Sequence, residues 1–320
     1  MRAVLNGWRA EEKAVTIYSF DWSGADVHSK RSSTIACYAG SASTTPALAC
    51  PLGNRTMNWS RLLVYSQLEC LASSAAANRE RVVVGFDFPL SFPWVNAGYH
   101  FPGGHPNRST FWQHVHQVVW PNGTAQDFVD RYSNLFAQNR NKGANYTNHL
   151  RCTEDAARQN KAPAKGVFNL RGVSPGKGAI SGIAMLQELL EHCTQRHLPL
   201  MIWPFFQLLA DGSVNGIDTA QPLRHMPDGC LAIVETYPKV SWVRSRQQRA
   251  SYNRPATWAA VQGCFNNTSN PPLLPRDEDQ ADALVAWYGL AEAINLAGAL
   301  AAGPSIQPVA IQQEGWIYGV

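Results

Sequence analysis

Five acidic residues stand at positions where a metal-dependent enzyme needs them. Asp21 ends an apolar, β-branched run that includes Val15, Ile17, Tyr18 and Phe20. Asp87 lies near the end of RVVVGFDFPL, Arg81 to Leu90, just before a proline. Glu235 closes the apolar run that begins at Leu231, again shortly before a proline, Pro238. Asp279 and Asp282 open the Ala/Leu-rich stretch Glu278 to Ala301, and a spacing of three puts both on one helical face. Carboxylates held at strand ends and on a helix can converge into an oxygen-only cage for Mg²⁺ or Mn²⁺. Two such ions about 4 Å apart activate a water and stabilise the leaving oxygen in phosphodiester cleavage.

Each acid also has a structural reading. Asp21 could cap the turn at Ser23-Gly24. Asp277, Glu278 and Asp279 are favourable charges at a helix N-terminus. Asp282 is harder to explain that way. It falls past the first turn, before Ala283, Leu284, Ala286 and Trp287, where an unpaired carboxylate is costly.

Other side chains offer weaker chemistry. His114 and His116, two residues apart, suit a strand-borne metal pair but have no acid nearby in sequence. Arg151 with Glu154 reads either as a phosphate-binding arginine oriented by a carboxylate or as a helix start capped by Thr153. Two basic stretches, 140–177 with Lys165 and Arg171 and 239–254 with Lys239 and Arg244, could neutralise a phosphate backbone; the ordinary alternative is a solvated face. Trp94, Tyr99, Phe101, Phe111, Trp112 and Trp120 could stack bases or form a small core of their own. Gly172 to Gly178 falls one residue short of a Walker A loop and lacks a hydroxyl residue after Lys177, which argues against a phosphate loop there.

The elements that must position these residues follow from periodicity. Strands are expected at Ala14–Trp22, Thr34–Ala39, Arg81–Leu90, Leu200–Trp203 and Leu231–Thr236, with no clear third strand after the second. Helices are expected at Trp59–Ala77, Gly178–His197 and Glu278–Ala301. The alternation implies an α/β layered fold. Residues 1–13 read as a polar lead-in and 14–320 as a single domain, interrupted by a Pro-, Gly- and aromatic-rich insertion at about 91–178. With 45% hydrophobic and 16% charged residues, the chain is globular, not disordered. A net charge of +4 permits a polyanionic partner without demanding one. Seven scattered cysteines form no CxxC or zinc spacing, which implies reduced thiols. No signal-peptide form or membrane-length apolar run is present, so a cytoplasmic protein without a membrane partner is expected.

The segments FDWSGA, GFDFPLS, VETYP, DQADALVAWYGLAEA and EGWIYGV together resemble the DUF429 family of predicted nucleases with a ribonuclease H-like fold. The resemblance runs in order from residue 14 onward and is weakest over 91–178. The Asp279-x-x-Asp282-Ala-Leu pattern is also similar to the last helix of RuvC-type Holliday junction resolvases. It implies a ribonuclease H-like mixed sheet flanked by helices, a large insertion after the central strand, and Mg²⁺ or Mn²⁺ held by Asp21, Asp87, Asp279 and Asp282. Glu235 matches the family motif as a further ligand or as a residue that holds its strand end. The implied activity is two-metal hydrolysis of a nucleic acid or nucleotide, with a homodimer as one arrangement. A phosphotransferase or ATPase on the same fold, or a non-catalytic nucleic-acid-binding protein, are the alternatives.

Overall fold

The computed structural model describes residues 14–22, 35–41, 44–51, 58–95, 99–100, 105–138, 141–147, 149–171, 175–218, 223–267, 273–294 and 308–318. The expected lead-in at 1–13 and the Ser23-Gly24 turn lie outside them. The first half of the chain forms β1 (Val15–Trp22), β2 (Ile35–Ser41), β3 (Ala47–Leu48), α1 (Arg61–Asn78) and β4 (Arg81–Phe86). Next come two small hairpins and three helices: β5 (Trp94–Val95) with β6 (Tyr99–His100), α2 (Arg108–Val119), α3 (Ala125–Arg131), β7 (Ala137–Gln138) with β8 (Asn141–Lys142), and α4 (Cys152–Gln159). The second half forms α5 (Gly176–Arg196), β9 (Leu200–Ile202), β10 (Phe206–Leu208), β11 (Val214–Asn215) and β12 (Leu231–Glu235). It continues with α6 (Pro238–Arg244), α7 (Pro255–Cys264), α8 (Glu278–Ala293) and α9 (Pro308–Glu314).

Eight strands make one mixed sheet, in the order β11-β10-β9-β12-β4-β1-β2-β3. Strands β9, β12, β4 and β1 run parallel, while β2 and β10 join antiparallel at the flanks. Strands β4 and β12, buried at every residue, take the centre, with the fully buried β9 beside β12. Their unbroken apolar runs suit a strand covered on both faces. Strand alternation sorts the side chains between the faces. Phe20, Phe86 and Ile233 pack on the side of α1 and α5, and Ile17, Val83 and Val234 on the side of α8. Helix α8 approaches closely because Gly85 carries no side chain: a Cβ there would lie 2.9 Å from Leu290 Cδ2 of that helix.

The expected α/β layering is present, and the differences from expectation are local. A third strand exists as β3, but its two exposed residues are too short to show a period. The segment between β4 and α5 has no core of its own. Phe111 and Trp112 of α2 are buried in the core shared with the sheet, so they are not stacking platforms. Trp120 packs against Tyr65 of α1, with ring centroids 5.1 Å apart. The side chain of Tyr99 and all of Phe101 lie outside the described residues. All seven cysteines are free thiols. Among the described residues, no helix is long and apolar enough to cross a membrane.

Helix α5 presses on the strand end that carries Asp87. A Cβ on Gly182 would meet the Phe88 ring at 2.2 to 2.5 Å. Gly182→Ala should therefore destabilise the protein by about 1–3 kcal/mol in denaturant titration, the usual cost of overpacking. Gly263→Ala in α7, where nothing lies within 4 Å of the added carbon, should be neutral or slightly stabilising.

Candidate active site

The parallel register of β1 and β4 pairs Phe20 with Phe86. Asp21 and Asp87 are therefore the next positions along two neighbouring strands, at their C-terminal ends. The N–H of Asp87 donates to the Phe20 carbonyl at 3.1 Å, which pins the two ends together. Alternation turns both acids toward α8. That helix is started by Asp277, whose side chain accepts from the Gln280 N–H at 2.8 Å, so this acid has the structural role of a cap. Asp279 and Asp282 follow on the next turns. All four aspartates line one cavity of about 870 Å³ at the carboxyl ends of the central strands. That edge is where open α/β sheets bind ligands.

The aspartates raise one another's affinity for protons. Asp21 is 4% exposed, and burial first, then Asp87, Asp282 and Asp279, holds its carboxyl well above the ordinary carboxylate range. It shares a hydrogen bond with Asp279. Burial likewise raises Asp87, as do Asp282 and Glu235, against the pull of Arg249. Asp279 is raised by burial, with the hydrogen bond to Asp21 opposing. Asp282 is pushed up to about 6 by burial. Two partners oppose that shift: Trp242 Nε1 donates to Oδ1 at 2.7 Å, and Arg249 Nε lies 3.1 Å from Oδ2. Like charges gathered in a desolvated pocket are what a bound cation relieves. The oxygen-only donor set fits a hard divalent ion.

Glu235 belongs to a different interaction. Its parity is that of Phe86, toward the α1 and α5 face. Arg151, 1% exposed, holds both of its oxygens: Nη1 to Oε2 at 2.7 Å and Nη2 to Oε1 at 2.5 Å. The Leu90 N–H also donates to Oε2, at 3.1 Å. The remaining Arg151 contacts run from Nε to Glu154 Oε1 at 3.1 Å and from Nη1 to the Glu314 carbonyl at 3.1 Å. Burial lowers the guanidinium pKa, but Glu235 and Glu154 outweigh it and keep the group charged. The expected phosphate contact by Arg151 is thus replaced by a buried ion-pair network. Thr153 does not cap α4 either; it lies within the helix, and its hydroxyl accepts from the Ile317 N–H at 2.9 Å.

The other expected cations divide. Lys165 and Lys239 are exposed and line the cavity. Arg171 does not line it. Arg244 turns to Glu292 at 2.5 Å and lies over the Phe265 ring. Three further cations line the cavity: Arg249, Lys177 and Arg61. Arg249 bridges Asp282 and Glu278, each at 3.1 Å; its signal was an acid-free basic run. Lys177 enters the cavity from the start of α5. Arg61 is buried under it, bonded to Ser181 and over the Trp22 ring at 5.3 Å; nothing in the local sequence marks it.

The histidine pair is corrected. His114 and His116 lie on helix α2, so a two-residue spacing sends them apart. His114 meets Tyr132 and stacks near His105, while His116 Nε2 reaches Glu188 Oε2 of α5 at 2.7 Å. Among the described residues, His116, Glu188 and Glu191 are the trio whose ligand atoms all lie within 4.8 Å of one another, so this group could hold a metal ion. The four aspartates make no such trio.

No protein-family model, curated protein or solved structure matches this chain. What the chain does therefore rests on the residues and geometry above.

Two measurements check the electrostatics. Arg151→Met leaves Glu235 buried without its partner and should cost about 3–5 kcal/mol, whereas pairing it with Glu235→Gln should restore most of the loss in a denaturation cycle. For Asp282, a folded pKa of about 6 against an ordinary 3.8 means that folding takes up the proton. The stability this contributes is complete below about pH 4 and is lost as pH rises through about 6. Metal-free Asp282→Asn should therefore be more stable than wild type at pH 7.5, by about 3 kcal/mol. That advantage should vanish by pH 4 in calorimetry.

Proposed function

We propose that this protein is a metal-dependent nuclease of ribonuclease H-like fold that hydrolyses phosphodiester bonds. The resemblance to the DUF429 family and to RuvC-type resolvases suggests this reading. The observation that carries it is the convergence of Asp21, Asp87, Asp279 and Asp282 from two parallel strand ends and one helix on a single cavity. The strand order adds support: β1 lies between its antiparallel neighbour β2 and the parallel β4, with β3 beyond β2, as a ribonuclease H-like sheet requires.

In this reading Asp21, Asp87, Asp279 and Asp282 would hold a pair of Mg²⁺ or Mn²⁺ ions. The ions would supply Lewis-acid polarisation of the phosphoryl oxygens and an acidified water. Lys239 and Arg249 line the same cavity and offer positive charge to the phosphate. Trp242 orients Asp282 through its indole N–H. Glu235 sets the position of its strand end through Arg151, and the ligands follow from that frame.

The test is hydrolysis of single-stranded, duplex and branched DNA and RNA with Mn²⁺. Turnover should vanish with chelator and fall about 100-fold or more in Asp21→Asn and Asp282→Asn, the rate equivalent of the several kcal/mol a metal supplies. Undiminished cleavage by Asp21→Asn sinks the assignment. Stabilisation by ATP with phosphate release would point to a phosphotransferase or ATPase, and metal-independent binding without turnover to a nucleic-acid-binding protein.

A further inference from the structure

The seam between α2 and α5 carries a second cluster of ligating side chains, on the far side of α5 from the aspartates and outside the cavity they line. His116 projects from α2; Glu188 and Glu191, three residues apart, share a face of α5. Their ligand atoms all lie within 4.8 Å of one another. His116 and Glu188 are half-buried, with side chains 18% and 31% exposed. A tetrahedral ion bound at the usual Zn–N and Zn–O lengths needs donors about 3.4 Å apart, which side-chain rotation supplies here.

A second observation lies on the same face of α5. His192, one turn beyond Glu188, bonds Glu69 of α1 through Nδ1 at 2.9 Å. Its Nε2 is buried without a hydrogen-bond partner. His192 stands beside the trio and is not one of its ligands. Tyr65 of α1 bonds the same Glu69, so α1, α2 and α5 all contribute to the seam.

The geometry points to a transition-metal site, of Zn²⁺ or Co²⁺ type, formed by His116, Glu188 and Glu191. The imidazole donor selects against Mg²⁺, whose ligands are oxygens. The site is separate from the proposed nuclease centre and uses a different class of ion. It would clamp α2, from the segment after β4, onto α5, whose first turn lines the cavity.

The experiment titrates Zn²⁺ and Co²⁺ into full-length Asp21→Asn/Asp282→Asn protein, which disables the aspartate centre. One ion per chain should bind, with Co²⁺ giving visible d–d absorption. His116→Ala and Glu191→Gln in that background should each weaken binding by about 10- to 100-fold. Both should keep the metal-free melting temperature and near-UV circular dichroism of their parent, and Zn²⁺ should raise the melting temperature of the parent only. Failure to bind Zn²⁺, or affinities within threefold of the parent in both variants, overturns the site. Because the aspartates are disabled throughout, the result is independent of whether the protein cleaves phosphodiesters.

Discussion

The buried pair of Arg151 and Glu235 governs how the molecule is assembled. It joins a central strand to the segment that follows β4, and it reaches the last described turn through the Glu314 carbonyl. Glu314 ties the same junction from its own side chain, accepting the Trp94 N–H at 2.7 Å and the Cys152 N–H at 2.8 Å. A charge placed this deep is tolerable because each guanidinium nitrogen has an acceptor. The walls of the acidic cavity are therefore fixed by electrostatics on one face of the sheet, while the acids themselves face the other.

That division follows from the two-residue period of a strand. Asp21 and Asp87 sit one position beyond a registered pair and turn to α8, while Glu235, opposite Phe86, turns away. Four carboxylates then gather along one helix and raise one another's proton affinity, while the fifth pairs with Arg151. The types and spacing of the five acids do not distinguish these roles. The register does.

Much of this was legible in the sequence because the signals were local. The unbroken apolar runs of β4 and β12 could only be central strands, and the periodic stretches at α1, α5 and α8 could only be helices. Asp282 announced itself as an acid among core residues, past the reach of the helix dipole. What escaped was non-local or too short. The two residues of β3 carry no period, and the partner of His116 is 72 residues away. Arg151 read as a phosphate ligand or a helix start because its principal acid partner is 84 residues away. Phe111 and Trp112 looked available for stacking until α5 was seen to cover them.

The bridge from Ile317 to Glu235, with the Tyr318 N–H on the Glu235 carbonyl at 2.8 Å, also bears on the order of assembly. The junction closes contacts between residues up to 220 positions apart in sequence. Contacts this distant pay their loop-closure entropy late and slow folding. The sheet carries a similar cost, since β12 pairs with β4 across the whole intervening segment and α5, and the wall of the cavity is complete only when Ile317 is in place. A chain caught before that step holds its acids in place around an unfinished pocket.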